Sequence, residues 1–232
     1  LAAHSGRADR IVLALTRDVF PDVPYAAAYG RSANQRALKT YYAQPPEFRW
    51  QHLAACFSMH RQAWQHVGGF DARFAYGEDS EFGYRLWQAG YDVVIDPALE
   101  VDHLRPALCA ANRVPRAFVS GASRRLFDRV HPEAPRPPGK ASRAKARAWG
   151  VGVAVLAALV RAPGGYRRLG RLADALLRVA PPSLGGRLIA WLVEAAGRSG
   201  VRHGSTDLHS YRTQKDAEAA TERKKRSDGP SD

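Results

Sequence analysis

The stretch from Asp79 to Pro97 constrains the fold of this chain more than any other. Asp79 and Ser80 stand where a helix opens, and Phe82, Leu86 and Ala89 follow at i, i+4 and i+7, one apolar stripe at helical period. Gly90 sits where a helix ends in a left-handed residue. Tyr91-Asp-Val-Val-Ile95 then reads as a strand that Asp96-Pro97 closes. A short extended piece, Leu99 to Val101, leads on to His103. Helix, glycine, strand and return form an α/β pattern. Upstream, Arg10 to Thr16 is a branched apolar run that predicts a buried strand, and Leu53 to Phe57 predicts another extended segment. Ser32 is placed to cap a helix through Tyr42 that Pro45-Pro46 ends. Ser58 is placed to cap a short helix, His60 to Val67, that Gly68-Gly69 stops.

Composition narrows the class. The 232 residues are 45% hydrophobic and 25% charged, enough to bury a core, so wholesale disorder is excluded. Two cysteines, Cys56 and Cys109, exclude a disulfide scaffold and an all-cysteine metal site. The net charge of +13 points to an anionic partner. Residues 1–139 carry a net +3 and residues 140–232 a net +10, so the excess belongs to the later part.

That part changes character. Val114 to Val130 predicts a helix with four arginines, and Pro132 to Gly139 predicts a linker. Ala148 to Val160 is an apolar run of 13 residues between Arg147 and Arg161, shorter than the roughly 20 needed to span a bilayer. Tyr166 to Ala180 sets Leu169, Leu172, Ala173, Leu176 and Leu177 on one side and arginines on the other, the makeup of a helix lying on an anionic membrane. Packing as a helical cap is the alternative. Leu188 to Ala196 is a third helix candidate. From Ser199 no apolar periodicity remains, which predicts a disordered tail ending in Glu222-Arg-Lys-Lys-Arg226. High pI alone would suit nucleic acid, but no helix-turn-helix, zinc-finger or single-strand-binding motif is visible, so nucleic acid is not the expected partner.

The segment FSMHRQAWQHVGGFDARFAYGEDSEFGYRLWQAGYDVVIDPALEVDH, Phe57 to His103, carries the chemistry. Its Gly68-Gly69-Phe70-Asp71, Glu78-Asp79, Gly83-Tyr84-Arg85-Leu86, Ala89-Gly90-Tyr91 and closing His103 resemble, in order and spacing, the C-terminal half of the catalytic domain of family 2 glycosyltransferases. The resemblance covers about residues 1–105 and is loose before Phe57. It implies an incomplete GT-A (Rossmann-like) α/β domain at 1–106; the composition and periodicity of the rest give a helix and linker at 107–139, a basic amphipathic helical region at 140–198 and a disordered tail at 199–232. The family's Asp-x-Asp motif, which binds metal and nucleotide diphosphate, does not occur upstream of Phe57, and the resemblance places it before Leu1. The starting residue, Leu1, and a single methionine, Met59, fit an expectation that the chain is part of a longer polypeptide.

The resemblance implies transfer of a sugar from a nucleotide-sugar donor to a hydroxyl acceptor with inversion, in cell-envelope glycan or glycolipid synthesis. It implies Asp79 as general base, with Glu78 orienting base or acceptor. A carboxylate at a helix N-terminus is expected to stay ionised, because free N–H groups and the helix dipole favour negative charge. Read without the pattern, Asp79 is an N-cap and Glu78 a solvated acid. His103 is implied as a ligand for a divalent metal, Mn or Mg, held mostly by the half before Leu1. On the acceptor side stand Gly69, Phe70, Tyr76 and Arg85. The glycines read as architectural, Phe74 and Tyr76 as stacking or buried aromatics, and Arg85 as a salt bridge or a phosphate contact. Arg61 and Trp64 are lesser candidates for substrate contact. The expected location is cytoplasmic, peripheral at the inner face of the cell membrane. The alternative is a domain that kept this fold, lost catalysis and serves as a binding module.

Overall fold

The computed structural model describes residues 4, 6–54, 56–104, 106–136 and 144–227. The chain is mostly helical with a small mixed sheet. It divides into two compact units. The first comprises Leu1–Phe20, Arg31–Pro106 and Phe127–Lys140, and the second comprises Pro21–Gly30, Ala107–Leu126 and Ala141–Asp232. The division is discontinuous: the sequence reading placed boundaries after residues 106, 139 and 198, and the compact units change at 20/21, 30/31, 106/107, 126/127 and 140/141. Residues 137–139 of the proline-rich stretch lie outside the described residues.

In the first unit, the run from Arg10 splits into β1 (Arg10–Leu13) and β2 (Thr16–Asp18). Helix α1 (Arg31–Tyr42) and a 3-10 helix (Pro46–His52) follow. Then come β3 (Phe57–Ser58), α2 (Arg61–Val67), α3 (Glu78–Gln88), β4 (Asp92–Ile95) and β5 (Val101–His103). The expected strand over Leu53–Phe57 is reduced to β3, and His60 rather than Ser58 caps α2, its Nδ1 accepting from Gln62 N–H. The central strand β1 pairs antiparallel with β3 and parallel with β4. Its Ile11, Val12 and Leu13 are all buried, as a strand covered on both faces requires. A second pair, β2 and β5, runs parallel with Asp18 opposite His103.

Helix α3 ends in a Schellman motif at the predicted glycine. Gly90 has φ +89°, its N–H bonds to the Trp87 carbonyl, and the Tyr91 N–H reaches the Leu86 carbonyl. Phe82 and Leu86 are fully buried, each stabilising the fold by about 1.5–3 kcal/mol. Ala89, expected on that stripe, is exposed, and Glu81 and Tyr84 are buried instead. A Cβ on Gly83 would stand 2.5 Å from the Trp50 carbonyl oxygen, so glycine lets α3 close onto the 3-10 helix. Trp50 stacks on Phe127 and meets Tyr84 edge-on. The buried Glu81 carboxylate receives Arg85 Nε at 2.7 Å and lies 3.1 Å from His131 Nε2, so the charge is paired where burial would otherwise be costly.

The second unit is helical. It contains a π-helical turn (Ala26–Gly30) and the larger part of α4 (Ala110–Val130). Helices α5 (Ala144–Leu159), α6 (Pro163–Leu176), α7 (Pro182–His203) and α8 (Leu208–Ser227) follow. Small residues let backbones approach. A Cβ on Gly170 would meet Ala110 of α4 at 2.6 Å, and one on Gly200 would meet the Phe118 carbonyl of α4. Asp174 of α6 accepts from the N–H groups of Ala110 and Ala111 and so caps α4 from another helix.

One expectation, the disordered tail, fails here, and the packing of α6 adds a face the sequence reading did not single out. Helix α6 buries Tyr166, Arg167, Gly170 and Ala173, while Leu172 is 66% exposed and Leu176 is also exposed. The close approach at Gly170 selects the small-residue face rather than the leucine face. The expected disordered tail is instead the end of α7 and then α8, opened by Asp207 accepting from Ser210 N–H. Its stripe is polar, so apolar periodicity misses it. Gln214 and Glu218 are buried, Arg167 donates to Gln214 Oε1 at 2.9 Å, Gln214 donates to Glu218, and Arg116 donates to Glu218 at 2.9 Å. Residues 228–232 of that tail lie outside the described residues.

Candidate active site

Glu78 and Asp79 occupy the first turn of α3, immediately after Gly77, whose φ of +78° turns the chain into the helix. Neither is the N-cap. Both side chains are half-buried, and neither makes a hydrogen bond or ion pair with a described residue. Asp79 departs from the expectation for a helix terminus. Burial, and then the neighbouring charge of Glu78, raise its carboxyl above the ordinary aspartate range. These two effects leave a carboxylate with more affinity for a proton than a solvated one.

The loop before the helix is built around an aromatic cluster. Trp64 and Phe70 meet edge-on with centroids 5.2 Å apart, and both also contact the buried Phe82. Phe70 is 45% exposed and Trp64 39%, so an apolar surface remains open to solvent. Gly69 has φ +72°, and a Cβ there would strike the Trp64 ring at 2.8 Å. Phe74 is buried and Tyr76 half-buried.

Arg85 belongs to the scaffold of this loop. It donates twice to Glu81, once to the Val67 carbonyl and once to the Gly69 carbonyl at 2.5 Å, four hydrogen bonds in all. Asp71 pairs with Arg73, which holds its carboxyl below the usual range. Arg61 is exposed at the start of α2.

His103 gains its partner from the β2–β5 register. Its Nδ1 lies 2.8 Å from Asp18 Oδ1, which leaves Nε2 as the outward nitrogen. A carboxylate behind one imidazole nitrogen is the usual support for a ligating histidine. No group of three or more His, Cys, Asp or Glu suited to a metal occurs among the described residues. The described residues therefore offer an oriented imidazole without a closed ligand set.

Three residues escaped the sequence reading. Asp18 becomes relevant only through strand register. Gln51 and His52 lie on the 3-10 helix against the start of α3, where Ser80 donates to the Gln51 carbonyl at 3.1 Å. Gln51 Nε2 and His52 Nε2 are buried without a hydrogen-bond partner among the described residues, and burial pushes the His52 imidazole down to about 4. The dipeptide has no signature in the sequence. Comparison with known protein families, curated proteins and solved structures finds no match to this chain.

Proposed function

We propose that this chain is the acceptor side of an inverting GT-A glycosyltransferase, with Asp79 as the base. The supporting observation is a half-buried carboxylate of raised pKa, without a hydrogen bond or ion pair to a described residue, on the first turn of α3 beside Glu78. As the acceptor oxygen bonds to the anomeric carbon, the bond from that carbon to the nucleotide diphosphate breaks. The hydroxyl proton passes to Asp79, and the diphosphate leaves with its electron pair. A base of raised pKa takes that proton more readily as the bond forms. Phe70 and Trp64 offer an apolar platform for a sugar ring. Arg85 and Gly69 hold the loop that presents it, and Tyr76 lies on the same loop. His103, backed by Asp18, is the residue that would add a ligand to a Mn or Mg ion, which would neutralise charge on the leaving diphosphate.

The polypeptide that carries this chain would take a nucleotide-sugar donor and a hydroxyl-bearing glycan or lipid-linked acceptor, and would act at an anionic membrane surface. Two exposed apolar stripes support the surface contact. On α5, Val155 and Leu159 are 54% and 75% exposed with Val151 one turn earlier, while Val153 and Ala157 are buried. On α6, Leu172 and Leu176 are flanked by the exposed Arg168 and Arg171. No described helix is long and apolar enough to cross a membrane. The test is stereochemical. The intact polypeptide is incubated with α-linked UDP- and GDP-sugars and an extract of glycan and lipid acceptors, and the product anomer is read by proton NMR. A β-linked product is expected, and an α-linked product would overturn the single-displacement reading.

A further inference from the structure

The second unit contains a hollow of about 710 Å³ bounded by α4, α6, α8 and the segment at Pro24-Tyr25. That lies within the roughly 300–1,000 Å³ range of small-molecule sites. Its walls are of two kinds. Tyr25, Leu108 and Leu177 give it an apolar side. Arg167, Arg171 and Arg178 enter from α6 and the residues just after it.

The charges do not cancel. Asp174 is the one acid among the described lining residues, and both its oxygens are engaged by the N–H groups that open α4. Arg167 is buried and committed to Gln214 and Asn112. Arg171 and Arg178 are exposed at the hollow and make no hydrogen bond or ion pair with a described residue. The charge of Arg171 is also felt by Arg167 as repulsion. Two guanidinium forks without a described partner beside an apolar wall suit an oxyanion attached to a hydrocarbon segment, because each fork donates to two oxygens of one head.

We propose that this hollow binds an amphiphile with a phosphate monoester head and an apolar chain, the head between Arg171 and Arg178 and the chain along Leu108 and Leu177. A phosphate monoester carries close to two negative charges near neutral pH, matching the two exposed arginines. The site is independent of the glycosyltransferase reading.

Binding is measured on the purified chain by calorimetry and phosphorus NMR line width. The probes are dodecyl phosphate below its micelle concentration, inorganic phosphate and dodecyl maltoside. Dodecyl phosphate is expected to saturate one site about tenfold more tightly than inorganic phosphate, with no saturable binding of the maltoside. The double variant Arg171→Gln/Arg178→Gln should lose about tenfold in affinity with an unchanged melting temperature, both side chains being exposed. Ala220→Trp, which fills the hollow from α8, should block the dodecyl chain and spare inorganic phosphate. Equal affinity for dodecyl and inorganic phosphate would reduce the site to a free-anion site and overturn the proposal. Undiminished binding by the double arginine variant would overturn it as well.

Discussion

Asp79 and His52 show opposite consequences of burial near one helix end. Burial raises the carboxyl of the first and lowers the imidazole of the second to about 4, because each neutral form is the cheaper one out of water. For His52 the sign is definite. The unfolded chain binds the proton with the ordinary pKa of about 6.5 and the folded chain with one of about 4, so stability is full above about 6.5 and falls as pH drops toward 4. The loss is on the order of 1–2 kcal/mol once partial exposure is allowed for. His52→Phe keeps a ring against Tyr41, whose centroid lies 4.0 Å away, and removes the titration. Urea melts at pH 7 and pH 4 should show a smaller loss for this variant than for the wild type; equal losses would remove His52 from the account.

Among the elements, α2 and α3 frame the candidate site through the loop Gly68–Gly77. The αL cap at Gly68 ends α2, and Arg85 ties Val67 and Gly69 back to α3. Gly69→Ala meets both a positive φ and the Trp64 ring, so thermal unfolding should show a loss of about 1–3 kcal/mol. A loss within error would show that the loop accommodates a Cβ. The α3–β4 passage was readable because each signal is local: acids in the first turn, an apolar stripe, a terminal glycine and a branched run. Helix α8 was not readable. What it buries is Gln214 and Glu218, and a polar stripe is indistinguishable in sequence from a solvated one until Arg167 and Arg116 face it. The face by which α6 packs was not readable for a related reason. Gly170 sets how closely that helix approaches α4, and closeness selected the small residues over the leucines.

At the scale of the whole molecule, the composition break near residue 140 coincides with one division between the compact units, at 140/141, while the divisions at 20/21, 30/31 and 126/127 were not set by the sequence reading. Segments 21–30 and 107–126 group with the later helices, a long-range pairing with no local signal. The candidate site was legible as Glu78, Asp79 and the glycine–aromatic loop, whereas Asp18 and His52 depended on register and packing. The exposed stripes and the net +10 of residues 140–232 together predict vesicle binding. Co-sedimentation with phosphatidylglycerol vesicles should fall with added salt, and Leu172→Asp/Leu176→Asp should lower it about tenfold. Retention that ignores both changes would leave these leucines without a membrane role. The central claim is that Asp79 accepts the acceptor's proton, and one comparison reaches it most directly. Transfer from labelled UDP- and GDP-sugars is followed in the intact polypeptide with Asp79 and with Asp79→Asn, alongside calorimetric binding of the same donors. The account predicts that turnover falls about 10²- to 10⁴-fold with donor affinity unchanged; turnover retained in the Asn variant would contradict it.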